Sequence, residues 1–337
     1  VIWALRWMLF RLMLGAGLIK IRNDSCWRDL TCLIYHYETQ PIPNPLSFFY
    51  HHMPPTFHYA GCLFNHFVEL VVPFGYFGPA VVRRWAGLIT IVFQCILISS
   101  GNLAWLNWVT LVMCIPCFDD AFLTRRLGPR FTFEAPTWKF SPVKTVVLSC
   151  FTAVLAWLSI SPALNLVDAE QAMNTSYSQW HLVNSYGAFG SVGRERYDIV
   201  IEATDEPEIT EHTQWRPYEF KAAPGDVTRR PPLITPYHYH LDWQIWFSGM
   251  RPRLQEVWLL RLAVRLLEND PQITALFQSV PFPGKRPTYI KMDLYQYRFA
   301  DWKDWPKQWW TREWIGEYMP PISLEHPLAR RLRKKPD

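Results

Sequence analysis

Five apolar runs in the first 161 residues decide what this chain can fold into. They cover about 1–19, 58–82, 86–100, 103–117 and 143–161, and a bilayer core asks for ~20 apolar residues per helix. The third and fourth are short and are separated by Gly101-Asn102, so they form either a tight hairpin of tilted helices or one long broken helix. Charge favours the hairpin. Arg83 and Arg84 precede the pair and Arg125, Arg126, Arg130, Lys139 and Lys144 follow it, which puts both ends on the cytoplasmic side.

The mean hydropathy of −0.05 conceals two unlike halves. Residues 1–161 hold 12 basic and 7 acidic residues, leaving 22 of the chain's 34 basic and 22 of its 29 acidic residues to the remainder. The whole formal charge of +5 therefore lies among the apolar runs, where it reads as membrane topology and argues against a nucleic-acid partner. All seven cysteines lie in the first half, so the second half is no disulfide scaffold. Cys26 and Cys32 share one polar loop, either bonded in an oxidising lumen or buried as free thiols. Cys114 and Cys117 form a CxxC, but it ends an apolar helix and contains Pro116, which points to packing. The sequence has no GxSxG, no Gly-rich phosphate loop and no HExxH, so the common soluble-enzyme mechanisms find no foothold. The chain opens on Val1 inside an apolar run, without an initiator methionine, and reads as N-terminally incomplete.

With this orientation the loop 20–58 and everything after Ser161 share the lumenal side. Asn23-Asp24-Ser25 and Asn174-Thr175-Ser176, both sequons, lie there. From residue 162 the chain changes character. Tyr197–Ala203, Trp215–Lys221 and Pro287–Phe299 alternate apolar with polar residues, as strands do. Leu259, Leu262, Ala263, Leu266 and Leu267 recur at helical spacing within 254–269. The fold class expected is a multi-pass α-helical membrane bundle, residues 1–161 with a lumenal loop at 20–58, followed by a β-rich α+β soluble lumenal domain, 162–337. The run 330–335 is a solvated basic tail. Its Lys334-Lys335 resembles a dilysine signal that only a cytoplasmic tail could display, so it is set aside.

The polar loop and its flanks hold the suspicious charges. Arg11 and Glu69 lie about midway along the first and second spans, where ionisable groups are costly unless paired. An Arg11–Glu69 contact is one expectation, and a bond from Glu69 to Asn65, one turn away, is the other. Lys20, with His36, Glu38, His51, His52, His66 and Glu69 near it in sequence, contains the groups for an acid/base site. Against that, Lys20 and Arg22 serve equally as interfacial anchors. His238, His240 and Asp242 have metal-ligand spacing for one face of a strand, but Tyr237, Tyr239, Trp243 and Trp246 around them favour packing, and no metal or other cofactor is assigned. The Trp-rich stretches 302–314 and 242–247 supply core or an aromatic surface for a partner or a membrane.

Several longer strings are more specific. GLIKIRNDSCWRDLTCLIYHYETQPIPNPLS, FNHFVELVVPF, SGNLAWLNWVT and CFDD, then YEFKAAPGDVTRRPPLITPYHYHLDWQIWF, PFPGKRPTYIKMDLYQYRF and WWTREWIGEYMPPISL, resemble the lipase maturation factor family. The resemblance implies a multi-pass protein of the endoplasmic reticulum membrane. Such a protein would help secreted lipases, notably homodimeric ones of the lipoprotein lipase type, to fold and assemble in the lumen, with membrane lipid as its surroundings and no established reaction. The chain departs from the family pattern at His238-x-His240 and at Cys114. GLIKIRNDSCWRDL is also faintly similar to vitamin K-dependent γ-carboxylase, which implies an alternative: a membrane enzyme with Lys20 as base.

Overall fold

The computed structural model describes residues 1–127, 141–250 and 256–333. Arg130, Lys139, the Lys334-Lys335 pair and the start of the helix expected from Leu254 lie outside the described residues. Fourteen α-helices and six strands are described in chain order. The first half holds α1 (Ile2–Asn23), α2 (Ser25–Arg28), α3 (Cys32–Thr39), α4 (Pro45–His51), α5 (Pro55–His66), α6 (Ala80–Ser100), α7 (Leu106–Met113), α8 (Asp120–Leu127), α9 (Pro142–Leu158) and α10 (Ile160–Val167). The second holds β1 (Arg196–Thr204), β2 (Arg216–Pro217), β3 (Glu219–Phe220), α11 (His240–Gly249), α12 (Val257–Leu267), α13 (Pro271–Thr274), β4 (Phe277–Ser279), β5 (Tyr289–Phe299), β6 (Trp310–Ile322) and α14 (Pro327–Arg333).

Among the described residues, four segments are long and apolar enough to cross a bilayer: Ile2–Asn23, Pro55–Phe77, Ala80–Ser100 and Pro142–Val167. A fifth is reached only if Leu106–Cys117 and Asp120–Arg126, joined at a bend of 107°, count together as one span. The run expected to be short at 86–100 gains a turn and a half at its start, because Arg83 and Arg84 continue the helix and settle their charge on Asp119, 3.8 and 2.6 Å away. Pro142–Val167 buries only 6% of its apolar window in protein, which leaves lipid as its solvent.

The chain folds as two compact units that do not follow a single cut at 161. One comprises Val1–Ile34, Met53–Leu97 and Leu106–Val192; the other comprises Tyr35–His52, Ile98–Trp105 and Gly193–Asp337. The polar loop is thus divided between them, and the segment after the last span, as far as Val192, stays with the helices. The helical unit is packed around Leu9, Phe10, Met13, Val68, Tyr76 and Phe93.

The second unit is built on an antiparallel sheet of order β2-β1-β5-β6. Ile199 lies opposite Leu294 and Ile201 opposite Met292, and this face packs on Ile245 of α11 and on Leu259, Leu262, Ala263, Leu266 and Leu267 of α12. The other face carries Val200, Tyr297 and Phe299 against Phe48, Trp309 and Trp310. Both faces being covered, β1 is buried almost continuously although its sequence alternates. Two sequence expectations change here. His238, His240 and Asp242 do not share a strand face, since His240 and Asp242 open α11. The Trp-rich stretch 302–314 runs into an unexpected strand, β6, with Trp309 and Trp310 buried and Trp302 and Trp314 exposed.

Candidate functional site

Lys20 is not a loop residue; it is the nineteenth residue of α1 and is buried. Its Nζ donates to Asn65 Oδ1 at 2.8 Å and to Glu69 Oε1 and Oε2 at 2.7 and 2.8 Å, so each ammonium proton has an acceptor. Asn65 Nδ2 completes the ring with a 3.0 Å bond to Glu69 Oε2. Two local features allow this. Residues Phe67–Val71 form a π-helical turn that carries Glu69, and Pro73, which lacks an N–H, cannot donate to the carbonyl of Glu69 four residues before it. Gly17 lets α1 approach that turn: a Cβ there would stand 2.8 Å from both Glu69 Cβ and Leu70 Cδ2.

The expected Arg11–Glu69 pair is therefore replaced by Lys20–Glu69, with the Asn65 bond beside it. Register explains the change. Phe10 stacks edge-on against Phe74 at 5.3 Å, while Gly17 faces Glu69 and Leu70, so the first turns of α5 lie level with the end of α1 and Arg11 comes level with residues after Glu69. Arg11 Nη1 instead donates to the Asn184 carbonyl at 2.7 Å, and its guanidinium lies 5.6 Å from the centre of the Trp7 ring.

Above the ion pair the polar loop forms a cap. Cys26 and Cys32 are bonded as a disulfide. Asp24 caps α2 through the Cys26 N–H at 3.0 Å and accepts the Val192 N–H at 3.1 Å. Trp27, almost fully buried, donates Nε1–H to the Phe189 carbonyl at 2.8 Å, and its ring centre lies 4.9 Å from Lys20 Nζ. His66 Nε2–H donates to the Trp27 carbonyl at 2.8 Å, while its buried Nδ1 has no partner among the described residues. Asp24, Cys26 and Cys32 are the one group of possible metal ligands close enough together among the described residues, and its two sulfurs are spent on each other. Cys62, Cys114 and Cys117 are buried free thiols, and Cys95 and Cys150 are exposed ones.

The other loop residues belong to the second unit. Glu38 Oε2 accepts the Phe299 N–H at 2.7 Å and lies 3.6 Å from His51 Nε2. Burial pushes its carboxyl above the usual range, against the pull of the Phe299 N–H and of Arg196. His36 is buried beside Tyr37, and His52 Nδ1–H donates to the Phe48 carbonyl at 2.8 Å. The proposed acid/base set is thus split: Lys20, His66 and Glu69 lie in the helical unit, His36 and Glu38 in the sheet unit.

Arg196 escaped the sequence reading. It is 2% exposed and makes five hydrogen bonds: to both oxygens of Asp198 at 2.5 and 3.0 Å, and to the carbonyls of Glu38, Gln40 and Pro41 at 3.1, 2.5 and 3.1 Å. Its signal was an Arg and an Asp two residues apart on one strand, hence on one face. His238 and His240 have ring centres 6.1 Å apart; burial and the neighbouring His240 hold the His238 imidazole below its ordinary value. The sequon asparagines Asn23 and Asn174 are both exposed, Asn174 with φ of 50°.

Comparison with known proteins spans both halves. The profile described as "Lipase maturation factor transmembrane domain" matches residues 1–125, and that described as "Lipase maturation factor C-terminal domain" matches 182–320. Lipase maturation factor 1 of Mus musculus is 42% identical over 96% of this chain and 60% of its own length, and that of Homo sapiens is 42% identical over 96% and 61%. Lipase maturation factor 2 of Mus musculus is 28% identical over 98% of this chain and 61% of its own length. The chain thus spans about 60% of these relatives. No solved structure matches it. With the strings quoted above in both halves, and the apolar helices followed by an antiparallel sheet, the chain belongs to the lipase maturation factor family.

Proposed function

We propose that this chain serves the maturation of secreted lipases in the endoplasmic reticulum membrane, as a non-enzymatic folding factor whose sheet unit works in the lumen. Its clients are homodimeric lipases of the lipoprotein lipase type. The observation that carries the reading is the 42% identity to Lipase maturation factor 1 over 96% of the chain. The Cys26–Cys32 bond supports an oxidising compartment for the loop. Exposed Trp302, Trp305 and Trp314 supply aromatic surface of the kind that a folding factor offers to unfinished clients.

Lys20 enters this reading as a brace. A base must offer a lone pair, and an ammonium held by Glu69 and Asn65 has every proton engaged. The experiment is complementation of cells that lack their own lipase maturation factors, with active lipase in the medium as the readout. The full protein carrying this chain restores active lipoprotein lipase secretion, and deletion of residues 193–337 abolishes it. A membrane-integrated protein that leaves secreted activity at background would sink the proposal.

A further inference from the structure

The four-stranded sheet of the second unit ends on β6, which holds 13 residues and pairs with β5 alone, so its other side is an edge. Two bonds at its start show which main-chain groups face out. Trp310 and Phe299 lie opposite each other, yet the Trp310 N–H goes to the Val227 carbonyl at 3.1 Å and the Phe299 N–H goes to Glu38 Oε2 at 2.7 Å. This pair therefore faces apart. Antiparallel ladders alternate, so Arg312 and Trp314 likewise turn their N–H and C=O groups away from β5. Val227 closes the edge only at Trp310, and among the described residues no main-chain bond reaches Arg312 or Trp314 from outside the sheet. Residues 311–315 are all exposed.

Unpaired N–H and C=O groups along an extended strand have one natural complement, the main chain of another extended segment. The side chains narrow the choice. Trp314 and Ile315 are 57% and 45% exposed. The Arg312 guanidinium is taken up by the Tyr297 hydroxyl at 3.2 Å and lies 4.7 Å from the centre of the Tyr295 ring. Glu313 and Glu317 are exposed and have no ion-pair partner among the described residues. The edge is thus apolar and acidic, and its complement is apolar and basic. A second copy is a poor complement. Antiparallel pairing of two β6 edges centred on Arg312 sets Arg312 against Arg312, and centred on Glu313 it sets Glu313 against Glu313. Centred on Trp314 it runs into Ile315, the extra residue between the partners of Tyr295 and Leu294.

We infer that the β6 edge takes up, by strand addition, a short unpaired segment of a client chain in which apolar and basic residues alternate. Apolar side chains lie beside Trp314 on one face, and basic ones beside Glu313 on the other. The assignment rests on the reading of this protein as a folding factor and names the client feature it recognises.

The test presents the full protein in phosphatidylcholine nanodiscs with a fluorescent peptide that alternates valine with lysine. A counterpart is methylated on the main-chain nitrogens of both edges, which keeps every side chain and removes the donors. Trp314→benzoylphenylalanine cross-links to the parent peptide and roughly fivefold less to the methylated one. A peptide alternating valine with glutamate binds more weakly than the parent. Arg312→Pro removes an outward N–H that β5 does not use and lowers binding about fivefold, whereas Arg312→Ala, which removes only the side chain, changes it less than about twofold. Trp314→Lys blunts the edge at an exposed position and decides the matter if Arg312→Pro does not fold. Equal binding of the parent and methylated peptides, or binding that Trp314→Lys leaves intact, overturns the assignment. So do cross-links from position 314 to a second copy or to the protein's own chain. Arg312→Pro that loses the peptide but still restores lipase secretion overturns it too, while the maturation reading stands. Peptide capture by a protein that fails complementation sinks the maturation reading and leaves strand addition in place.

Discussion

The Lys20–Glu69 pair sets a limit that a single residue can test. Two charges removed from water return little net stability as a pair, but either one left alone is strongly penalised. Glu69→Gln keeps a partner for Asn65 and strands the Lys20 ammonium, so we expect a loss of about 3–5 kcal/mol. Lys20→Met combined with Glu69→Leu removes both charges and recovers most of that loss. Thermal unfolding in detergent, run on Lys20→Met, Glu69→Leu and the double, gives the coupling. Additive losses would mean that the two groups do not depend on each other. The sequence displayed both charges but not their pairing, because the partner is chosen by helix register, and Arg11 lies closer to mid-span than Lys20 does.

Elements show what local patterns carry and what they leave out. The helix around Leu259–Leu267 was legible because it buries one periodic face, and the strand at 197–203 because its residues alternate in sequence, although both of its faces are covered. α11 and β6 were not. His240–Gly249 mixes apolar and polar residues around its circumference, so its helical period is faint. Residues 311–315 of β6 are exposed in succession, with no alternation to mark a strand, and pairing with β5 alone defines them. The attachment of residues 38–41 to β1 was likewise invisible, since it rests on Arg196 reaching three main-chain carbonyls. Arg196→Met leaves the buried Asp198 carboxylate unpaired and should cost about 3–5 kcal/mol. Hydrogen exchange in residues 35–44 should then rise while that of α1 stays as it was. Unchanged protection in 35–44 would show that other contacts hold this segment and that Arg196 is dispensable to it.

At the scale of the whole molecule, the composition of the sheet unit constrains the path of the chain through the membrane. Residues 35–52, 98–105 and 193–337 share one compact unit, and a polar sheet domain occupies one side of a bilayer. The chain therefore leaves that side after Trp105 and returns to it before Gly193. Pro142–Val167 is long and apolar enough for the return crossing, and the bent segment Leu106–Arg126 passes the same test for the outward one when it counts as a single span; we predict five crossings, with Arg125 and Arg126 on the other side of the bilayer from the sheet. A re-entrant Leu106–Arg126 would break this count, and glycan acceptors can tell the two apart. Asn174 follows the return crossing and is exposed, so in microsomes it should be glycosylated, with the mobility shift lost in Asn174→Gln. Arg130→Asn, which makes a sequon with Thr132, should stay unmodified in the same membranes. A glycan acquired through Arg130→Asn would put the end of the bent segment on the lumenal side, and the five-crossing path, with the lumenal placement of the sheet that depends on it, would fail.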